Sequence, residues 1–307
     1  MPIITRDQVT IEAQVRGIYN VAYAEAQGQA LVNAIATTVE TTLPVQTYDW
    51  WGQLPTLREW VDERTFRPLS KYRYTISDRV WESTIAIERR ALEDDQASLL
   101  RARVQDLAQS VVSEVDRQCV EMLLAAFTTV GPDGQYIIDS DHPESGSLQS
   151  NLVTGALNAA NLRTAMTMMM SFKGDAGRPL GRTPTHLLVG PANQWTALEL
   201  IESPVVVATS GTNYANVLRG TLQVLVTPYI PGNQWFVLDC SRALRPLVYQ
   251  VRSDVPDEII MHMDPRSSAL TFLQTSLQSV SGSGMAWGMA IGRLSLVAKA
   301  NHGENRR

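Results

Sequence analysis

Only two cysteines, Cys119 and Cys240, occur in 307 residues. They lie far apart, one in an apolar helical pattern and one ending an apolar strand pattern. That excludes a disulfide framework and reads as two buried thiols. No stretch approaches 18 consecutive apolar residues, so no transmembrane helix is expected. The opening MPIITRDQV has no basic flank followed by a hydrophobic run, so no signal peptide is expected and first folding in a cytoplasm follows. A net charge of −5 argues against a strongly basic surface for gripping nucleic acid. Lysine is scarce: Lys71, Lys173 and Lys299 stand against 23 arginines. Arginine makes rigid bidentate contacts with carboxylates, which suits fixed ion pairs. A GC-rich genome would give the same bias.

Enzyme signatures are also missing. The segments GDAGRPLG (174–181) and GSGMAWG (282–288) contain glycines but follow neither a P-loop nor a dinucleotide-binding pattern. No G-x-S-x-G elbow is present. The four histidines (His142, His186, His262, His302) show no zinc spacing, so structural roles are expected. In DSDHP, Asp139, Asp141 and His142 cluster, but no second ligand group accompanies them, and the composition is that of a turn. Glu93, Asp94 and Asp95 are adjacent on a helical pattern and point about 100° apart, so they form no catalytic pair. Helix-start electrostatics or an intersubunit salt bridge is the better reading. No catalytic residue, metal or cofactor is expected.

What is present is an ordinary globular composition, 44% hydrophobic and 19% charged, in one elaborated domain or two. The class expected is α+β. Residues 6–38 have a weak helical period interrupted by Gly17 and Gly28, predicting one or two marginal helices that need a neighbour. Residues 72–87 alternate as Tyr72, Tyr74, Ile76 and then Trp81, Ser83, Ile85, Ile87, predicting strand. With VETTLPVQTYDWW before them, they predict two extended arms joined by a long tip. From about Glu88 to Phe127, apolar residues recur every three or four positions with no Gly or Pro, predicting a helix of about 60 Å at 1.5 Å per residue. A short strand is expected at Gln135 to Ile138, a second helix over 158–172 with Met168, Met169 and Met170 as core or interface filler, and a loop at 174–184. THLLVG then reads as a buried strand and ANQWTALELIE as a helix. Strand-like runs follow from 204 to 250 and beyond. No βαβ alternation runs through the whole chain, so a doubly wound sheet is not expected.

The arm, the arms-and-tip segment and the long helix share one property: none can bury its own apolar surface. Trp, Tyr and Arg crowd residues 48–81, and these types dominate interface energetics. The stretch YDWWGQLPTLREWVDERTFRPLSKYRYTISDRVWESTIAIERRALEDD resembles the signature block of the Mu-like phage major head subunit family. DGQYIIDSDHP (133–143) resembles a second block of that family. The resemblance implies an HK97-like capsid fold, with an N-terminal arm (1–44) and an extended β-hairpin loop (45–88). A peripheral domain (89–185) would carry a spine helix at about 88–127. An axial domain (186–260) and a return to the peripheral domain (261–307) would follow. It further implies a major capsid protein of a tailed bacteriophage that self-assembles as hexamers and pentamers into an icosahedral shell around double-stranded DNA, contacted weakly and without sequence readout.

On this reading, Trp50, Trp51, Leu54, Arg58, Glu59, Trp60, Asp62, Glu63, Arg64, Phe66 and Arg67 of the loop would contact a neighbouring subunit. An arm of about fifteen extended residues reaches roughly 50 Å. Glu93, Asp94 and Asp95 would mark the start of the spine helix. Some shells of this fold carry a Lys–Asn isopeptide link; nothing marks a catalytic acid for Lys71, so none is expected. A scaffold, if used, is expected as a separate protein, beside a portal and decoration proteins. The alternatives are an encapsulin-like compartment of the same fold, or a soluble enzyme with a dispersed site.

Overall fold

The computed structural model describes residues 6–43, 45–51, 71–77, 81–88, 97–131, 134–144, 147–174, 177–207, 213–252, 258–263, 269–276, 278–279 and 296–298. The mixed helix-and-sheet class matches the α+β expectation.

The N-terminal segment is one helix, α1 (Arg6–Gly28), followed by a short α2 (Leu31–Ile35). Gly17 does not interrupt α1, because the helix leans on another one. Val15, Tyr19 and Ala22 form its buried stripe, and Tyr19 stacks on Tyr23 at 5.6 Å between ring centroids. The support is α3 (Ala97–Ala125), which packs along α1. A marginal helix is thus stabilised within its own chain.

Residues 81–88 form a strand, as the alternation through Trp81, Ser83, Ile85 and Ile87 predicted. Of the helix expected from about Glu88 to Phe127, α3 accounts for Ala97–Ala125, 29 residues or about 43 Å at 1.5 Å each; residues 89–96 lie outside the described residues. Val104, Leu107, Ala108, Val112, Val115, Cys119, Val120 and Leu123 make the buried face of α3.

The strands are β1 (Ala36–Thr41), β2 (Val45–Trp51), β3 (Lys71–Ser77), β4 (Trp81–Glu88), β5 (His142–Glu144), β6 (Ser147–Gln149), β7 (His186–Val189), β8 (Val205–Val207) and β9 (Asn213–Ala215). They continue as β10 (Gln223–Val226), β11 (Trp235–Leu238), β12 (Leu247–Arg252), β13 (Glu258–Met263), β14 (Ala269–Ser276), β15 (Gln278–Ser279) and β16 (Leu296–Ala298). Two further helices, α4 (Ala159–Ser171) and α5 (Gln194–Glu202), match their predicted positions. The Asn158 side chain caps α4 by accepting from Asn161 N at 2.9 Å. The strand expected at Gln135–Ile138 is reduced to a single bridge, Val130 to Tyr136, because Gly131 and Gly134 turn the chain back at once.

The central sheet has the order β10-β7-β11-β16. β7 and β10 are parallel and joined through α5, while β11 runs antiparallel to β7 and β16. Both faces of this sheet are covered. Leu188, Phe236 and Leu238 point into one core with Ile35, Val112, Val115, Cys119 and Leu123. Leu187, Val189, Trp235 and Val237 point into a second core with Leu162, Ala165, Met169, Ala197 and Ile201. That is why HLLV and WFVL read as unbroken apolar runs. Of the three methionines, Met169 is core and Met170 is half-exposed. Gly190 lies at the exit of β7, where a Cβ would come within 2.5 Å of the Ile230 carbonyl oxygen. Two outer sheets have the orders β1-β12-β15 and β13-β14-β4.

Candidate intersubunit surface

The extended loop begins as a hairpin stem. β2 and β3 pair antiparallel from Val45 opposite Ser77 to Trp51 opposite Lys71. The register sets Tyr48 opposite Tyr74, Asp49 opposite Arg73 and Trp50 opposite Tyr72. Among the described residues this ladder has two strands only. A two-stranded ribbon is marginal in water and gains stability when a face is covered. Ile76 is buried, whereas Leu43 before the stem and Val45 at its first pair are about half exposed. Of the loop residues expected at an interface, Trp50 and Trp51 fall in β2. Leu54, Arg58, Glu59, Trp60, Asp62, Glu63, Arg64, Phe66 and Arg67 lie outside the described residues, as do Glu93, Asp94 and Asp95.

The body presents apolar groups that sequence reasoning did not single out. Trp195, Val217 and Tyr214 are exposed, with Trp195 at 72%. Trp195 could have been found: Ala197 and Ile201 lie on the buried side of α5, and a position two residues before Ala197 falls on the other side.

The polar clusters are structural. Buried His142 meets Asn151 Oδ1 through Nε2 at 3.3 Å; Asn151 Nδ2 donates to the Ile137 carbonyl at 2.7 Å, and Asp139 N donates to Asn151 Oδ1 at 2.8 Å. This knits DSDHP to the segment before α4. His186 is held below the usual imidazole range by burial, opposed by a hydrogen bond to Gln223. Arg182 and Asp239 form a buried pair at 3.5 Å, tying the 174–184 loop to the end of β11. Burial depresses the Arg182 guanidinium, with Arg242 adding to this and Asp239 opposing it. Burial also pushes the Cys240 thiol up to about 12, and it raises the Cys119 thiol too. Both cysteines are free, as expected. On α3, Arg117 pairs with Glu114 and Glu121, and its hydrogen bond draws the Glu114 carboxyl below its ordinary value.

One cap spans the chain. Asp116 of α3 accepts from Leu31 N and Val32 N, both at 3.0 Å, and so closes the start of α2. No nearby side chain does this, since Ala30 occupies the N-cap position. Burial raises the Asp116 carboxyl, and the two backbone bonds oppose the rise.

Solved structures similar to this chain include phage capsids. The procapsid protein of bacteriophage JBD30 is 20% identical with a TM-score of 0.57, covering 74% of this chain and all of that one. The fold is therefore the HK97-like capsid fold. The family description Mu-like prophage major head subunit gpT matches residues 9–156, 149–230 and 231–302. The chain belongs to that family. The major capsid protein of Escherichia phage Mu is 24% identical over 276 residues, 64% of this chain and 90% of that protein. The Mu-like prophage FluMu major head subunit of Haemophilus influenzae is 24% identical over 227 residues, 74% of this chain. The match spans about half the length of the latter relative, 53%. These matches favour a phage head subunit over the encapsulin-like alternative.

Proposed function

We propose that this protein is the major capsid protein of a tailed bacteriophage, a structural subunit without catalytic activity. Copies gather as pentamers and hexamers and close an icosahedral shell in the cytoplasm of the host bacterium. The observation that carries this reading is the head-subunit family match running from residue 9 to residue 302 over a capsid fold. Among the described residues no helix is long and apolar enough to cross a membrane.

The shell encloses double-stranded DNA, which the inner surface touches weakly through scattered arginines. A separate scaffolding protein, a portal and decoration proteins complete the head. The chain divides as arm 1–44, extended loop 45–88, peripheral domain 89–185, axial domain 186–260 and return 261–307. The loop residues, from Trp50 to Arg67, lie across an adjacent subunit, where aromatic burial adds affinity and the charges fix register. Glu93, Asp94 and Asp95 serve the start of the spine helix.

Electron microscopy of the purified full chain, with nuclease-protected nucleic acid measured on phage particles, tests the reading. Closed shells of uniform diameter and protected DNA are expected. A discrete small oligomer at every concentration and salt would refute it.

A further inference from the structure

Two helices cover one face of the central sheet, and each turns a stripe of side chains away from it. On α5, Ala197 and Ile201 are buried while Trp195, Glu199 and Glu202 are exposed. On α4, Leu162, Ala165 and Met169 are buried while Arg163, Thr167 and Met170 are exposed. Each exposed set has the spacing i, i+4, i+7, so each lies along one side of its helix. α5 packs over β10 and β7, and α4 packs over β16, at the other end of the strand order.

The two stripes are opposite in sign and equal in length. One carries two carboxylates and begins with an indole 72% exposed; the other carries a guanidinium and ends with a thioether side chain 50% exposed. Trp195 to Glu202 and Arg163 to Met170 each advance about 10.5 Å along a helix at 1.5 Å per residue. Laid antiparallel, Met170 falls on Trp195 and Arg163 on Glu202, with Glu199 between. Sulfur against an aromatic edge is a favourable contact, and Arg against carboxylate fixes register. A second observation points the same way. Glu199 and Glu202 occupy the last turn of α5, which holds no basic residue, so they face the negative end of their own helix dipole. A cation brought from outside α5 relieves that repulsion.

We propose that the Trp195–Glu199–Glu202 stripe of one subunit packs on the Arg163–Thr167–Met170 stripe of the next copy around a capsomer. The occupant is a second copy of this chain. Two different patches in contact make a heterologous interface, which repeats head to tail and closes rings, as pentamers and hexamers require. The proposal rests on the shell-forming function above and names one contact that serves it.

Charge reversal tests it in the full chain. Arg163→Glu and Glu202→Arg should each lower the yield of closed shells at least about tenfold, because each sets like charges face to face. The double variant should recover most of the parent yield. All the altered side chains are exposed, so circular dichroism should match the parent. A second arm uses Met170→Cys with Trp195→Cys in the assembled particle. Oxidation should give a non-reducing ladder that runs to five and six linked chains. Single reversals that assemble like the parent, a double variant no better than either single, or a ladder that is absent or stops at two chains would each overturn the contact. Any of these leaves the shell function standing if the parent closes shells; a parent that never assembles removes that function and this contact with it.

Discussion

Replacing Asp116 by alanine should loosen the N-terminal segment from α3. The carboxylate accepts from two backbone donors 85 and 84 positions away, each at 3.0 Å. Alanine leaves both N–H groups without that partner beside a core that holds Val32 and Ile35. A buried donor left unsatisfied costs about 1–3 kcal/mol, and loss of an N-cap about 0.5–2. Two partners are lost, but the site is half-buried, and removing a partly desolvated charge returns part of the cost. The net expected loss is about 2 kcal/mol. Asp116→Asn keeps an acceptor oxygen and should cost about half as much by the same reasoning.

The pH dependence has a definite sign. Burial raises the folded Asp116 carboxyl above its unfolded value. Such a group contributes stability that is full below the unfolded pKa and is lost as pH rises through the folded one. The parent should therefore gain stability relative to Asp116→Asn as pH falls into the carboxylate range. Urea denaturation of unassembled subunits gives the free energies, and hydrogen exchange at the Leu31 and Val32 amides reads the cap directly. Alanine at 116 with stability within about 0.5 kcal/mol of the parent, together with unchanged exchange at both amides, would refute the reasoning.

Trp235→Ala removes a fully buried indole that donates from Nε1 to the Gly155 carbonyl at 3.4 Å, and should cost about 3–5 kcal/mol by urea denaturation. Iodoacetamide at neutral pH should label neither Cys119 nor Cys240 in the folded chain, since burial raises both thiols; labelling should appear only on unfolding, followed by mass spectrometry. Trp51→Ala with Trp60→Ala should leave a foldable subunit that closes shells poorly, so double-mutant shells of normal size and heat resistance would count against the loop assignment.

Much of the body was legible because its periodicities are strong and local. The period of three to four through Val104, Leu107, Val115 and Cys119 marked α3. The alternation through Tyr72, Tyr74 and Ile76 marked β3 in the same way. The run THLLVG announced a buried strand, and the pattern over 158–172 announced α4. The end of the alternation near Glu88 was legible too, for β4 closes there. The head-subunit reading came from residues 48–95 and 133–143. Yet the side chains that would make the loop contacts lie largely outside the described residues.

The order of elements, the inertness of two isolated thiols and the family membership follow from the residues themselves, because they depend on neighbours in the chain and on residue chemistry. Which carboxylate closes α2, which stripe of α5 faces outward, and that β16 joins β11 depend on groups brought together across up to about 85 positions. Those are products of tertiary packing. A hydrogen bond or an exposed ring carries no periodic signal until the cores on the two faces of the central sheet have fixed which way each helix turns.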